Sequence, residues 1–185
     1  MHTNNILVIV GSLRKESVNK AVAEALKASA PAGTTIEIAD LSSIPLYNQD
    51  LESSFPQPVL DLKEKIRAAQ GIVIVTPEYN RSIPGMLKNL IDWTSRPYGD
   101  SAWAKKPVAT IGASVGPTGT AFAQAHLRTI LIYLDTYLMG QPEIYIGNVG
   151  EKIKDGSLTD AGTLDHLKGF LEKFIQHTNT VSKTI

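Results

Sequence analysis

Between Gly11 and Asn19 the chain reads Gly-Ser-Leu-Arg-Lys-Glu-Ser-Val-Asn, directly after an apolar run and directly before a segment of helical periodicity. Two hydroxyls, an amide and a guanidinium are thereby delivered to the amino end of a helix, and that set binds an anion. Free N–H groups and the positive end of the helix dipole already favour phosphate there. Ser12 and Ser17 add donors, Asn19 an amide, and Arg14 a charged fork. A phosphate monoester carries about two negative charges near neutral pH, so an arginine suits a terminal phosphate better than a bridging one. Taken alone, the same residues also read as an N-cap at Ser17 and a tight turn at Gly11. The chain has no G-x-x-x-x-G-K-[ST], and the loop lacks the second and third glycines of G-x-G-x-x-G, so neither an NTPase nor a dinucleotide-binding loop is indicated.

Two further segments carry comparable chemistry. Thr76-Pro77-Glu78-Tyr79-Asn80-Arg81-Ser82-Ile83-Pro84-Gly85 combines a stiff backbone with flat and amide side chains, which suits a planar heteroaromatic ligand. The plainer alternative is a proline-rich surface turn. In Gly112-Ala113-Ser114-Val115-Gly116-Pro117-Thr118-Gly119-Thr120, glycines let the main chain approach a ligand closely, and Ser114 and Gly116 are the candidates to do so. One such loop is weak evidence; three at the same end of a sheet are stronger.

The elements that must position these loops follow from periodicity. Short β-rich apolar runs at 5–10, 35–39, 71–76, 107–113 and roughly 137–145 alternate with helix-period stripes. Val18, Ala21, Val22, Ala25 and Leu26 form the first stripe, and Leu164, Leu167, Leu171 and Phe174 the last. The pattern is that of an α/β three-layer sandwich with a five-stranded parallel sheet, for which the order 2-1-3-4-5 is expected. In such sheets ligands lie beyond the carboxyl ends of the strands, where the order reverses, so the three loops are the place to look. Residues 1–185 are expected to form one domain, with a frayed tail at 178–185.

Composition narrows the partners. Eighteen basic and 18 acidic side chains cancel, which removes the electrostatic footprint that nucleic-acid and membrane-surface binders need. The chain has no cysteine, so thiolate catalysis, disulfides and cysteine-held iron–sulfur or zinc sites are excluded. Its four histidines are scattered without ligand spacing, and no metal site is expected. The run at 6–10 is too short for a signal-peptide core or a membrane span, and a cytoplasmic location is expected. Trp93, Tyr98 and Trp103 flank a segment, 94–102, that is expected either to cover the site, to meet a neighbouring subunit, or to pack its aromatics in the chain's own core.

At Gly11 to Asn19 and Pro77 to Gly85 the sequence resembles the NADPH-dependent FMN reductase family of flavodoxin-like proteins, whose members include quinone, chromate and azo-dye reductases. The likeness runs from the first strand to the last helix. It implies that Ser12, Arg14, Ser17 and Asn19 hold an FMN phosphate, that Pro77, Glu78, Tyr79 and Asn80 border the isoalloxazine ring, and that Ser114 and Gly116 approach it from the third loop. It further implies NADPH or NADH as hydride donor, ping-pong turnover through FMN with no catalytic side chain, and small acceptors such as quinones, flavins, chromate and azo compounds. A homodimer or homotetramer is the implied assembly. A flavodoxin-like electron carrier or an FMN-binding regulatory module without nicotinamide turnover is the alternative, and zero net charge speaks against a carrier that docks through an acidic surface.

Overall fold

Apolar side chains on both faces decide which strands lie at the centre. The computed structural model describes residues 4–183. Strands β1 (Asn4–Val10), β2 (Thr34–Ile38), β3 (Gly71–Val75) and β4 (Pro107–Ala113) pair in parallel in the order β2-β1-β3-β4. β3 and β4 are buried along their whole length, whereas Ile36 is the one fully buried residue of the edge strand β2. Beyond β4 come β5 (Tyr137–Leu138) and β6 (Ile144–Ile146), both parallel to it. The order is therefore the expected 2-1-3-4-5, but the single strand predicted over 137–145 is in two pieces. Gly140-Gln141-Pro142 separates them, and a proline has no N–H to give to a ladder.

Helices α1 (Val18–Ala28) and α5 (Ala161–Ser182) cover one face; α2 (Gln57–Ala68), α3 (Gly85–Thr94) and α4 (Ala121–Tyr133) cover the other. Alternation along β1 sorts its side chains between two cores. Ile6, Val8 and Val10 meet Val22, Leu26, Leu167 and Phe170, while Leu7 and Ile9 meet Leu62, Ile66, Leu90 and Leu127. Each such side chain stabilises the fold by about 1.5–3 kcal/mol through burial. The result is a three-layer, flavodoxin-like α/β/α sandwich.

Three local features bear on the expectations, the first two as departures and the third as a choice among the stated alternatives. The apolar stripe of α5 continues from Phe174 through Thr178 to Val181, all buried, so the helix runs to Ser182 where a frayed tail was expected from Thr178; residues 184–185 of that tail lie outside the described residues. A small hairpin of β7 (Ile153–Lys154) and β8 (Ser157–Leu158) turns on Asp155 and Gly156, both left-handed at φ 49° and 76°. Trp93 and Trp103 are fully buried, donating their indole N–H groups to the Pro45 carbonyl (2.9 Å) and Thr94 Oγ1 (2.8 Å), so both pack in the chain's own core. Because α3 runs back from the carboxyl ends of the strands, segment 94–104 lies at the opposite end of the sheet from the three loops and does not cover them. The buried Lys63 holds it there, bonding the Arg96 carbonyl and Asp100 Oδ2 (3.0 Å).

Within β4, a Cβ added at Gly112 would lie 2.1 Å from Thr120 Oγ1 and 2.3 Å from the Thr76 carbonyl oxygen. The second of these is backbone and cannot rotate away. Gly112→Ala is expected to destabilise the fold by about 1–3 kcal/mol, as overpacking does, lowering the urea midpoint at unchanged slope. An unchanged midpoint would contradict the close approach of the second and third loops.

Candidate active site

The first loop is braced by its own groups. The Gly11 amide continues the sheet by donating to the Val75 carbonyl at 2.9 Å. Ser17 caps α1, its Oγ accepting from the Lys20 amide at 3.3 Å, and Ser12 Oγ accepts from the Arg14 amide at 3.4 Å. Arg14 folds back so that Nε and Nη2 donate to the Glu16 carbonyl at 3.0 and 2.6 Å, which fixes the guanidinium and leaves Nη1 without an acceptor among the described residues. Behind it stand the Val18 and Asn19 amides of the first turn of α1, which have no acceptor among the described residues. The hydroxyl hydrogens, the guanidinium edge and these amides are all donors, the chemistry an anion requires.

A cleft of about 150 Å³ lies between this loop and the other two. Of the predicted residues, Ser12, Arg14, Ser17, Asn19, Pro77, Glu78, Tyr79 and Ser114 line it together; Asn80 and Gly116 do not. Arg14 also walls two wider clefts, of about 620 and 600 Å³, that open on either side of the first loop.

In the second loop Tyr79 and Ser82 exchange both backbone hydrogen bonds at 3.0 Å, with Asn80 and Arg81 at φ 52° and 63° between them. This is a two-residue turn with both central residues left-handed, a conformation that asparagine tolerates better than most. Asn80 thus shapes the turn at its tip, and Tyr79, 53% exposed, supplies the flat surface on the cleft wall. Glu78 turns elsewhere. Its Oε2 accepts from the Phe122 and Ala123 amides at 3.0 and 3.1 Å, and its Oε1 pairs with Arg81 Nη1 at 3.2 Å. Thr120, which precedes α4, is left-handed at φ 70° and offers that helix no side-chain cap, so the carboxylate of a different loop caps it instead. Nothing local in the sequence announces this contact, since the partners are 44 and 45 positions apart. His126, on α4, meets Ser82 Oγ through Nδ1 at 3.0 Å and so joins the same junction.

The third loop is organised by Ser114, whose hydroxyl donates to the Gly116 carbonyl at 2.9 Å and accepts from the Gly119 amide at 3.1 Å. The Ser114 side chain is therefore spent on its own loop. Among the described residues the amides of Val115 and Gly116 have no acceptor, and a Cβ at Gly116 would meet nothing within 4 Å, so this stretch of backbone faces open space. Two free main-chain donors suit the polar edge of a ring system. With anion donors at one end, Pro77 and Tyr79 along the side and free amides at the third loop, the residues present fit FMN.

Loss of the interloop cap has a measurable consequence. Glu78→Ala is expected to cost about 1–3 kcal/mol, since it leaves the Phe122 and Ala123 amides unpaired. Glu78→Gln, which keeps an acceptor oxygen, should retain more than half of that, as read from thermal unfolding. Equal Tm values for Glu78→Ala and the parent would remove the capping role.

Comparison with known proteins bears on the whole chain. The sequence profile of the NADPH-dependent FMN reductase family matches residues 4–151. The chain is 48% identical over 170 residues to a 2-hydroxy-1,4-benzoquinone reductase of Burkholderia sp, covering 91% of this chain and 93% of the relative. It is 46% identical over 174 residues to a quinone reductase of Escherichia coli strain K12, covering 91% and 92%. Among solved structures, the flavoenzyme NAD(P)H:(acceptor) oxidoreductase FerB of Paracoccus denitrificans superposes with a TM-score of 0.88 at 40% identity, covering 96% of this chain and 98% of FerB. With the loops, the sheet order and these likenesses in agreement, the chain belongs to the NADPH-dependent FMN reductase family.

Proposed function

We propose that this protein is an FMN-containing, NAD(P)H-dependent oxidoreductase whose acceptors are small flat molecules, with quinones the first class. The observation that carries the reading is the gathering, at the carboxyl end of one sheet, of an anion-binding loop, a stiff aromatic turn and a glycine-containing loop with free amides. The names of the relatives, quinone reductase and 2-hydroxy-1,4-benzoquinone reductase, support the acceptor class. When bound, FMN supplies the two-electron chemistry, taking hydride from NADPH or NADH and passing electrons to the acceptor in ping-pong order.

The chain's own residues bind and orient. Ser12, Arg14, Ser17 and the first turn of α1 hold the phosphate. Pro77 and Tyr79 flank the ring, and the half-exposed phenol offers a surface on which a nicotinamide or an aromatic acceptor stacks. The free amide of Val115, which lines the cleft, and that of Gly116 next to it would supply main-chain donors toward the ring's polar edge, where preorganised donors stabilise negative charge most. Glu78 brings no free charge to the site, because Arg81 and the end of α4 already engage its carboxylate. An open stacking face also admits flavins, azo compounds and chromate as acceptors.

The working unit is a homodimer or homotetramer acting in the cytoplasm, where reduced nicotinamide nucleotides are kept. Supporting assembly, α4 exposes Phe122, Ile132 and Tyr133, and Tyr98 and Tyr133 border a groove of about 630 Å³ that an isolated chain leaves in water. The balanced charge disfavours nucleic acid or an anionic membrane surface as partner, and no helix among the described residues is long and apolar enough to cross a membrane.

Arg14→Ala is expected to weaken FMN binding by about 1.5–3 kcal/mol, the usual range for a hydrogen bond to a charged group. Fluorescence titration of the flavin-free protein measures this, and full affinity in the variant would take Arg14 off the phosphate. Anaerobic titration of the yellow protein with NADH and with NADPH should bleach the flavin band, and added benzoquinone should restore it. A protein that purifies colourless and takes up no FMN would overturn the assignment.

A further inference from the structure

We propose that Asn19 is a positioning residue that sets the distance between the phosphate loop and the ring-facing loop, and that its side chain is not a phosphate ligand. The inference rests on the FMN site described above and concerns how that site is held in shape. Asn19 sits in the first turn of α1, within the very motif that reads as phosphate-binding. Yet its side chain is 1% exposed and engages both polar groups of a single residue: Nδ2 donates to the Ala113 carbonyl at 3.0 Å, and Oδ1 accepts from the Ala113 amide at 2.9 Å. One Nδ2 hydrogen remains, on a group that solvent scarcely reaches.

Ala113 is the last residue of β4, and Ser114 opens the third loop immediately after it. β1 and β4 are not neighbours; β3 lies between them. The start of α1 therefore reaches across the end of β3 and clasps β4 through one carboxamide, 94 positions away. The carboxamide matches this task because it presents a donor and an acceptor side by side, as a strand's own peptide would. Aspartate lacks the donor and leucine lacks both. The clasp joins the loop that holds the phosphate to the amides of Val115 and Gly116, which serve the opposite end of the same ligand.

A phosphate ligand and a clasp fail differently. Loss of a phosphate contact weakens FMN and leaves riboflavin, which has no phosphate, unchanged; loss of the clasp weakens both, because ring-facing amides and phosphate loop move out of register together. In flavin-free protein, Asn19→Ala is expected to lower the affinities for FMN and for riboflavin by the same factor, about tenfold for two buried hydrogen bonds, and to speed amide exchange at Ala113. Arg14→Ala, measured alongside, should weaken FMN alone. If Asn19→Ala fails to accumulate as folded protein, Asn19→Ser, too short to reach both groups, is read by the same ratio and the same amide. A variant that weakens FMN while sparing riboflavin, or that changes neither affinity, overturns the proposal. Should the parent protein bind neither flavin, the FMN assignment fails, while exchange at Ala113 still reports on the clasp: faster exchange in Asn19→Ala supports it, and unchanged exchange overturns it.

Discussion

Main-chain hydrogen-bonding groups at the ends of strands and helices have to find partners, and the way this chain distributes them determines what its site can do. Parallel strands end abruptly at their carboxyl side, and each following helix begins with amides that have nothing behind them. At α4 those amides are satisfied by the Glu78 carboxylate, and at the end of β4 the peptide groups of Ala113 are satisfied by Asn19. At Val18 and Asn19 of α1, and at Val115 and Gly116, they have no acceptor among the described residues. The pairing of the first set holds the loops together; the openness of the second makes a place for a ligand rich in acceptors. Binding capacity and rigidity here draw on one inventory of donors.

The covered sheet makes that division possible. With β3 and β4 buried on both faces and packed between two cores, the strand ends form a stiff platform from which three loops project. Close approaches between those loops, such as the one Gly112 permits, leave little freedom for them to drift apart. The far end of the sheet is secured separately, through the two buried tryptophans and the Lys63 contacts to Arg96 and Asp100.

Much of this architecture was legible in the sequence, because two-sided burial writes continuous apolar runs into β1, β3 and β4 and one-sided burial writes 3.6-residue stripes into the helices. The break between β5 and β6 was signalled by Gly140 and Pro142 but was overridden by the apolar residues around them. The Asp155-Gly156 turn also carries its own signal, a dipeptide suited to two left-handed residues, but it lies in a polar stretch with no alternating apolar run to mark strands on either side. The site was legible as a set of loops, and most of its predicted residues do line one cleft. What each side chain does was not, since the roles of Glu78, Asn19 and Ser114 depend on partners brought near by the fold. Motif membership located these groups; only geometry separated those that face outward from those consumed in bracing.

The divided fifth strand has a bearing on self-association. An outermost strand with a long row of unpaired peptide groups invites another copy to add itself edge to edge, and from there a growing ribbon. Here that margin is two residues, a proline-bearing gap, then three residues, too short and too irregular to template such growth. At this margin of the sheet, edge-to-edge addition of a further strand is thereby disfavoured.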